Sequence, residues 1–487
     1  MPTIGTSIDI SALVDAMAAG DSSQVIAIAR ELLRRGAPAA ELAARVGLIV
    51  AHGDSDGHAM LTLSAAAAIS RWTAALGRDQ SGPYQETQSH EQELPLLVQA
   101  LLAVAPALRA GKAAQVKYPE PLYPSELPQG KTVNDYMHDA VYGNDAALVE
   151  RLLFGLYGTG ADYRTMEVRT YDGISTTFQN AGHPLMFAVR GFQLLDAAEW
   201  GDRAPHILHW LTPHLPLHTE EPAWVNDVRT FNADPAHSLA SLRTRIAAPK
   251  ETNALPLRRL ILSSADTTQV CQGVYDALMK GGASSRGVGS VIALAAADVM
   301  QMVGDLLPLP AGSGNRDTFV QAAHGLLFSA AVRLVYAHVQ DIEALPLLFT
   351  SAAYINALQK NLRQQTGTPQ MSAIPATPLG GGLIAPALQE TLSEQLEAQD
   401  LNGAMATARR YLRLGNDARA MFATIGLVAA QADAAADQGH TLEIVQAAGE
   451  EYMAWPASLA DTSVEAFLHV ALRAAAFAQR NDVVAYL

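Results

Sequence analysis

The strongest constraint on the fold of this chain is that it repeats itself. The stretch AGDSSQVIAIARELLRRGA, from Ala19 to Ala37, aligns without a gap with AQDLNGAMATARRYLRLGN, from Ala398 to Asn416. Asp21 falls on Asp400, Arg30 on Arg409, Leu33 on Leu412 and Gly36 on Gly415. A third copy, ADTTQVCQGVYDALMKGGA from Ala265, sets Asp266, Gln269, Val270, Leu278 and Gly281 in register with Asp21, Gln24, Val25, Leu33 and Gly36. A weaker fourth, YGNDAALVERLLFGLYGTGA, begins at Tyr142. Each copy reads as one amphipathic helix. An Asp or small polar residue offers an oxygen to the free N–H groups of the first turn. A glycine in the left-handed region closes the helix. In three copies a second helical pattern follows at once: APAAELAARVGLIVAH, ASSRGVGSVIALAAADVMQMV and DARAMFATIGLVAAQ.

Followed onward, every copy reaches a histidine preceded by glycine or alanine at the mouth of an apolar helix. These are His58 in DGHAMLTLSAAAAISRW, His183 in AGHPLMFAVRGFQLL, His324 in AAHGLLFSAAVRLVYAH and His440 in QGHTLEIVQAAGEEYMAW. Leu94-Pro95-Leu96-Leu97 after the first matches Leu345-Pro346-Leu347-Leu348 after the third, and proline suits the first turn of the next helix. The pattern predicts an all-α fold, a single large helical domain of two pseudo-repeated halves. The four related helical units cover about 8–115, 133–225, 255–362 and 386–487, around a central histidine-rich site. The Pro- and Gly-rich stretch at about 363–385 reads as a linker between the third and fourth units.

Composition narrows the function classes. At 487 residues and 49% hydrophobic content the chain can bury a large core. A net charge of -15 repels phosphate backbones, so no nucleic-acid partner is expected. No uninterrupted apolar run is long enough to span a bilayer, and the N-terminus lacks the basic and apolar regions of a secretion signal. The lone Cys271 excludes an internal disulfide and a four-cysteine metal site within the chain. A cytoplasmic protein with no membrane partner is the expectation.

One histidine at a helix start reads as a cap or a core hydrogen bond. Four at the same place in four repeats also read as ligands of one metal, because neutral imidazole is the commonest metal-ligating side chain and helices of a bundle can converge on one ion. Other chemistries lack a signal. There is no dinucleotide or P-loop glycine motif, no nucleophile elbow and no H-E-x-x-H, so neither a flavin nor an NAD(P) site is seen. Asp54 and Asp56 in HGDSDGH fit either a cation or a capped turn. His206, His209, His214 and His218 form a second group, and His52 is a candidate partner of His58.

The segments NAGHPLMFAVRGFQLLDAAE and QAAHGLLFSAAVRLVYAHV, with the chain length and the histidine-led units, resemble the questin oxidase-like family. That family includes oxygenases that open or cleave anthraquinone-type rings. The resemblance implies a non-haem Fe(II) centre, other divalent metals being alternatives, held by four histidines and a carboxylated lysine. Carried onto this sequence, the histidines are His58, His183, His324 and His440. For the lysine, Lys360 ends the apolar run LLFTSAAYINALQK, where burial would deprotonate it and allow it to capture carbon dioxide. The other reading of Lys360 is a solvated lysine favoured by the helix dipole. Phe187, Trp210, Phe328 and Tyr354 are candidates to line a site for a flat hydrophobic substrate, or to be core.

The expectation is therefore a metal-dependent mono- or dioxygenase with no catalytic residue beyond its ligands. Its partners would be dioxygen and a hydrophobic aromatic small molecule. The resemblance implies ring cleavage or Baeyer–Villiger-type oxidation of an aromatic polyketide or quinone. The alternatives are a non-catalytic helical-repeat scaffold and a metal-binding protein without catalysis.

Overall fold

The computed structural model describes residues 8–76, 90–238, 250–303, 314–338, 344–366, 384–460 and 462–480. Among them every regular element is a helix, and the all-α expectation holds. The segment read as a linker lies largely outside the described residues, between the helices Pro346–Thr366 and Ala385–Glu397.

The local signals of the repeated stretches act as physics requires. The side chains of Asp21, Asp145, Asp266 and Asp400 accept from the backbone N–H three residues on, at 3.0, 2.9, 2.8 and 2.9 Å. They cap the helices Ser22–Arg34, Ala146–Gly158, Thr267–Met279 and Leu401–Arg413. After these helices the chain turns through left-handed glycines: Gly36, Gly160, Gly282 and Gly415. In the third stretch this is Gly282 and not Gly281, because the C-terminal turn is one residue longer and Lys280 is still right-handed. A second helix follows in each case: Ala39–Val50, Tyr163–Ile174, Ser285–Met302 and Ala418–Ala429.

At the centre stand four helices, named here by their histidines: His58–Thr73, His183–Ala197, Gly314–His338 and His440–Met453. The His58 helix packs on the His183 helix, that on the His324 helix, that on the His440 helix, and the last returns to the His58 helix, closing a ring. Outer helices shield them. Ala39–Val50 and Leu94–Ala113 cover the His58 helix, and Tyr163–Ile174 and Ala204–Leu211 the His183 helix. Ser285–Met302 and Pro346–Thr366 cover the His324 helix, and Ala418–Ala429 and Glu465–Ala476 the His440 helix. Covered on all sides, the inner helices are apolar nearly all round, as buried helices are. Burial inside the fold also accounts for two windows long and apolar enough to cross a membrane, His90–Ala113 in an outer helix and Thr318–Ala337 in an inner one, of which 61% and 72% are buried.

Replacing a cap removes one hydrogen bond and leaves the packing intact. Asp400→Ala should cost about 1 kcal/mol of unfolding free energy, measured by urea titration with an unchanged slope. An unchanged midpoint would show that the cap contributes nothing.

Candidate metal centre

Three of the four histidines occupy the first position of their helix. Each follows a glycine with positive φ: Gly57 at 84°, Gly182 at 90° and Gly439 at 80°. His324 is different, since it lies well inside Gly314–His338 and follows Ala323. The expectation that each histidine opens its helix fails there, because an N-terminal extension continues that helix upstream.

These glycines are required by more than backbone angle. A Cβ on Gly57 would lie 2.4 Å from the Phe187 ring, one on Gly182 2.2 Å from the Phe328 ring, and one on Gly439 2.1 Å from the Thr62 hydroxyl. Phe187, Phe328 and Thr62 each stand four residues after a histidine, on the neighbouring helix of the ring. The helices therefore interlock in one rotational sense. A residue one turn past each of these histidines fills the space beside the glycine that precedes the next histidine.

The interlock brings the imidazoles together. Ring centroids lie 5.0 Å apart for His58 and His183, 4.9 Å for His183 and His324, 5.0 Å for His324 and His440, and 5.4 Å for His440 and His58. The result is a nearly equal-sided ring of four. Ligand atoms of His58, His183 and His440 all lie within 4.8 Å of one another. His324 Nε2 is 3.3 Å from His440 Nε2.

Backbone carbonyls set the tautomers. His324 Nδ1 donates to the Val320 carbonyl at 2.7 Å, His440 Nδ1 to the Asp437 carbonyl at 2.6 Å, and His183 Nδ1 to the Asn180 carbonyl. A carbonyl only accepts, so the proton is on Nδ1 and Nε2 carries the lone pair. His324 and His440 thus face each other through two lone pairs at 3.3 Å, a repulsive arrangement unless a cation lies between them. His183 Nε2 is buried with no hydrogen-bond partner. His58 Nδ1 lies 3.6 Å from the Asp56 carboxylate, beyond hydrogen-bonding distance, and is also unpartnered.

The electrostatics agree. Burial, then the neighbouring histidines, pushes His324 down to about 3. Burial, with help from His58, His440 and His214, takes His183 down to about 4, against the Asn180 carbonyl. Burial and His440 lower His58 as well. Neutral imidazoles are the form that binds a metal. A divalent transition ion fits this donor set by charge, ligand type and orphaned nitrogens.

Two carboxylates hold the helix starts. Asp54, read as a cation ligand or a turn cap, is the cap: it accepts from the N–H groups of Gly57, Ala59 and Met60 at 3.2, 3.3 and 3.0 Å. Asp437 accepts from Gly439 and Thr441 at 2.9 and 3.1 Å. Asp437, three residues before His440, is a capping signal that sequence reading left unused, and His183 has no Asp at the equivalent place. Among the described residues, two cavities of several hundred Å³ open onto the ring. One of about 340 Å³ reaches His58 beside Asp54 and Asp56, and one of about 400 Å³ reaches His324 and His440. Gln438, left-handed at φ 56°, borders both.

The remaining candidates lie elsewhere. Lys360 Nζ donates to the Ala265 carbonyl. With Asn356, Gln359 and Arg363, which bond to the carbonyls of Ile261, Leu262 and Ser263, it satisfies the chain leaving the helix Leu255–Ile261. Its ammonium is thus committed to the chain leaving that helix, and among the described residues no contact joins it to the histidines. Phe187, Trp210, Phe328 and Tyr354 are all buried and line neither of the two open cavities. Phe187 packs against His58, His183 and Trp210, while Phe328 and Tyr354 pack with Phe178. His52 turns away from His58: its Nε2 is 2.6 Å from His206 Nδ1, in a separate group with His209. His214 packs against Phe187, its ring tilted 54°.

Comparison with family models, with curated proteins and with solved structures finds no match.

The interlock predicts unequal alanine scans of its glycines. Gly36→Ala, where a Cβ meets nothing within 4 Å, should cost only the left-handed strain of about 1–2 kcal/mol. Gly182→Ala adds overlap with Phe328 and should cost about 2–4 kcal/mol in the same denaturation experiment. Equal losses would contradict the interlock.

Proposed function

We propose that the protein is a non-haem iron oxygenase whose metal is held by His58, His183, His324 and His440. The observation that carries this reading is the orientation of His183, His324 and His440. Their Nδ1 protons are committed to carbonyls, and their Nε2 lone pairs are left for a common centre. A purely structural scaffold gives no reason to set two imidazole lone pairs 3.3 Å apart. The two cavities at the ring support a site that small molecules reach.

Iron(II), when bound, supplies the one-electron chemistry that dioxygen requires. The chain's own residues orient the ligands and surround them with apolar helices that limit water. The resemblance of the His183 and His324 segments to the questin oxidase-like family supports an aromatic polyketide or quinone as substrate. It also supports ring cleavage or Baeyer–Villiger-type oxygen insertion as the reaction. In this reading four related helical units each contribute one ligand. Lys360 has no part in this reading, so any further ligand is water, substrate or another side chain.

Elemental analysis of protein purified anaerobically with Fe(II) should find about one iron per chain. His183→Ala and His324→Ala, folded by circular dichroism, should lose it. Metal-free wild-type protein after loading would refute the centre. Metal uptake without dioxygen consumption across hydroxyanthraquinones would leave a metal-binding protein and refute the oxygenase.

Lys360→Met is the control. Iron content should stay at the wild-type level, because the lysine serves a helix terminus. Loss of iron in a folded Lys360→Met protein would restore the carboxylated lysine to the ligand set.

A further inference from the structure

The four inner helices are apolar, yet their interior holds charges well past the histidines. Arg190 of the His183 helix donates to both carboxylate oxygens of Glu450 on the His440 helix, at 3.0 and 2.9 Å. Gln193 and Gln446 complete that group at 2.8 and 2.9 Å. The next residue, Glu451, accepts from Nε of Arg333 on the His324 helix at 2.5 Å. The Arg333 and Glu451 side chains are 3% and 0% exposed. Two successive residues of the His440 helix therefore grip two different helices. Arg333 ties it to its neighbour in the ring, and Arg190 ties it to the helix across the ring.

Such pairs are poor sources of stability. Taking two charges out of water costs about as much as their attraction returns, and apolar isosteres often do as well or better. Their attested use is to fix register. Register is what this site needs. Apolar side chains such as Ala, Val, Leu and Ile attract without direction, so they hold helices together but resist sliding weakly. A slip of one residue moves a helix by about 1.5 Å. Metal–ligand distances tolerate about 0.2 Å. The charged residues sit two to three turns past the histidines on three of the four ligand-bearing helices, and each pair joins two of them.

We propose that Arg190–Glu450 and Arg333–Glu451 are register clamps: positioning residues that hold His183, His324 and His440 at one level for the metal. This inference rests on the metal-centre reading. It predicts that fold stability and metal geometry separate. In the full chain, the double variant Arg333→Met/Glu451→Leu removes both charges of the more buried pair. Its melting temperature should equal or exceed that of the wild type. Its Co(II) affinity, measured against a competing chelator, should fall about tenfold or more, and its Co(II) ligand-field absorption should change shape. Arg333→Lys keeps the charge but loses the directional guanidinium. It should stay folded and give a smaller change in the same spectrum, which covers the case of a double variant that does not fold. Wild-type affinity and spectrum in either folded variant would overturn the clamp while leaving the metal centre standing. A wild-type protein that takes up no Co(II) would overturn both. A double variant that loses melting temperature and keeps its spectrum would make the pair a stabilising contact and overturn the inference.

Discussion

A histidine whose Nδ1 proton is given to a carbonyl one turn upstream has only its Nε2 lone pair left to offer, and the direction of that lone pair is set by the backbone. Most of this protein can be understood as support for that constraint. At His183 and His440 the carbonyl belongs to a turn made by left-handed residues, and at His324 it belongs to the preceding helical turn. Three of the four imidazoles are thus preorganised in tautomer as well as in place, which is the outer-shell role known to tune metal-ligating histidines. Burial then favours the neutral form of His58, His183 and His324.

Interlocking and clamping act at different distances from this ring. Close to the histidines, Phe187, Phe328 and Thr62 press on the glycines of neighbouring helices, so one helix start cannot shift without disturbing the next. Two to three turns away, two Arg–Glu pairs act along the helix axes. The first device is steric and works sideways. The second is directional and works lengthwise. Together they would leave a bundle of otherwise nondirectional contacts with little freedom at its histidine end.

The all-α architecture and the convergence of the four histidines were legible because both depend on local patterns that recur. The Asp caps, the closing glycines and the Gly-His starts are each set by the backbone needs of a few residues. What sequence reading missed depends on which faces meet. Phe187 and Phe328 read as either substrate-lining or core aromatics, because nothing local says that a neighbour's glycine waits for them. Lys360 looked like a buried ligand candidate because its helix is apolar, but its own face turns to the carbonyls that end Leu255–Ile261. The charges in AVRGF, AAVRLV and AAGEEY were visible as breaks in apolar runs. Their pairing was not, since it joins positions 260 and 118 residues apart. The left-handed residue at Gly282 in place of Gly281 shows a smaller limit: helix ends slide by one residue with no change of pattern.

The most direct test of the central claim is X-ray absorption spectroscopy at the iron edge of the anaerobically loaded 487-residue chain. The account predicts a first shell dominated by nitrogen, with outer-shell scattering from four imidazole rings per iron. A shell of oxygen or sulfur, or scattering from fewer than four imidazoles, would contradict a centre built by His58, His183, His324 and His440.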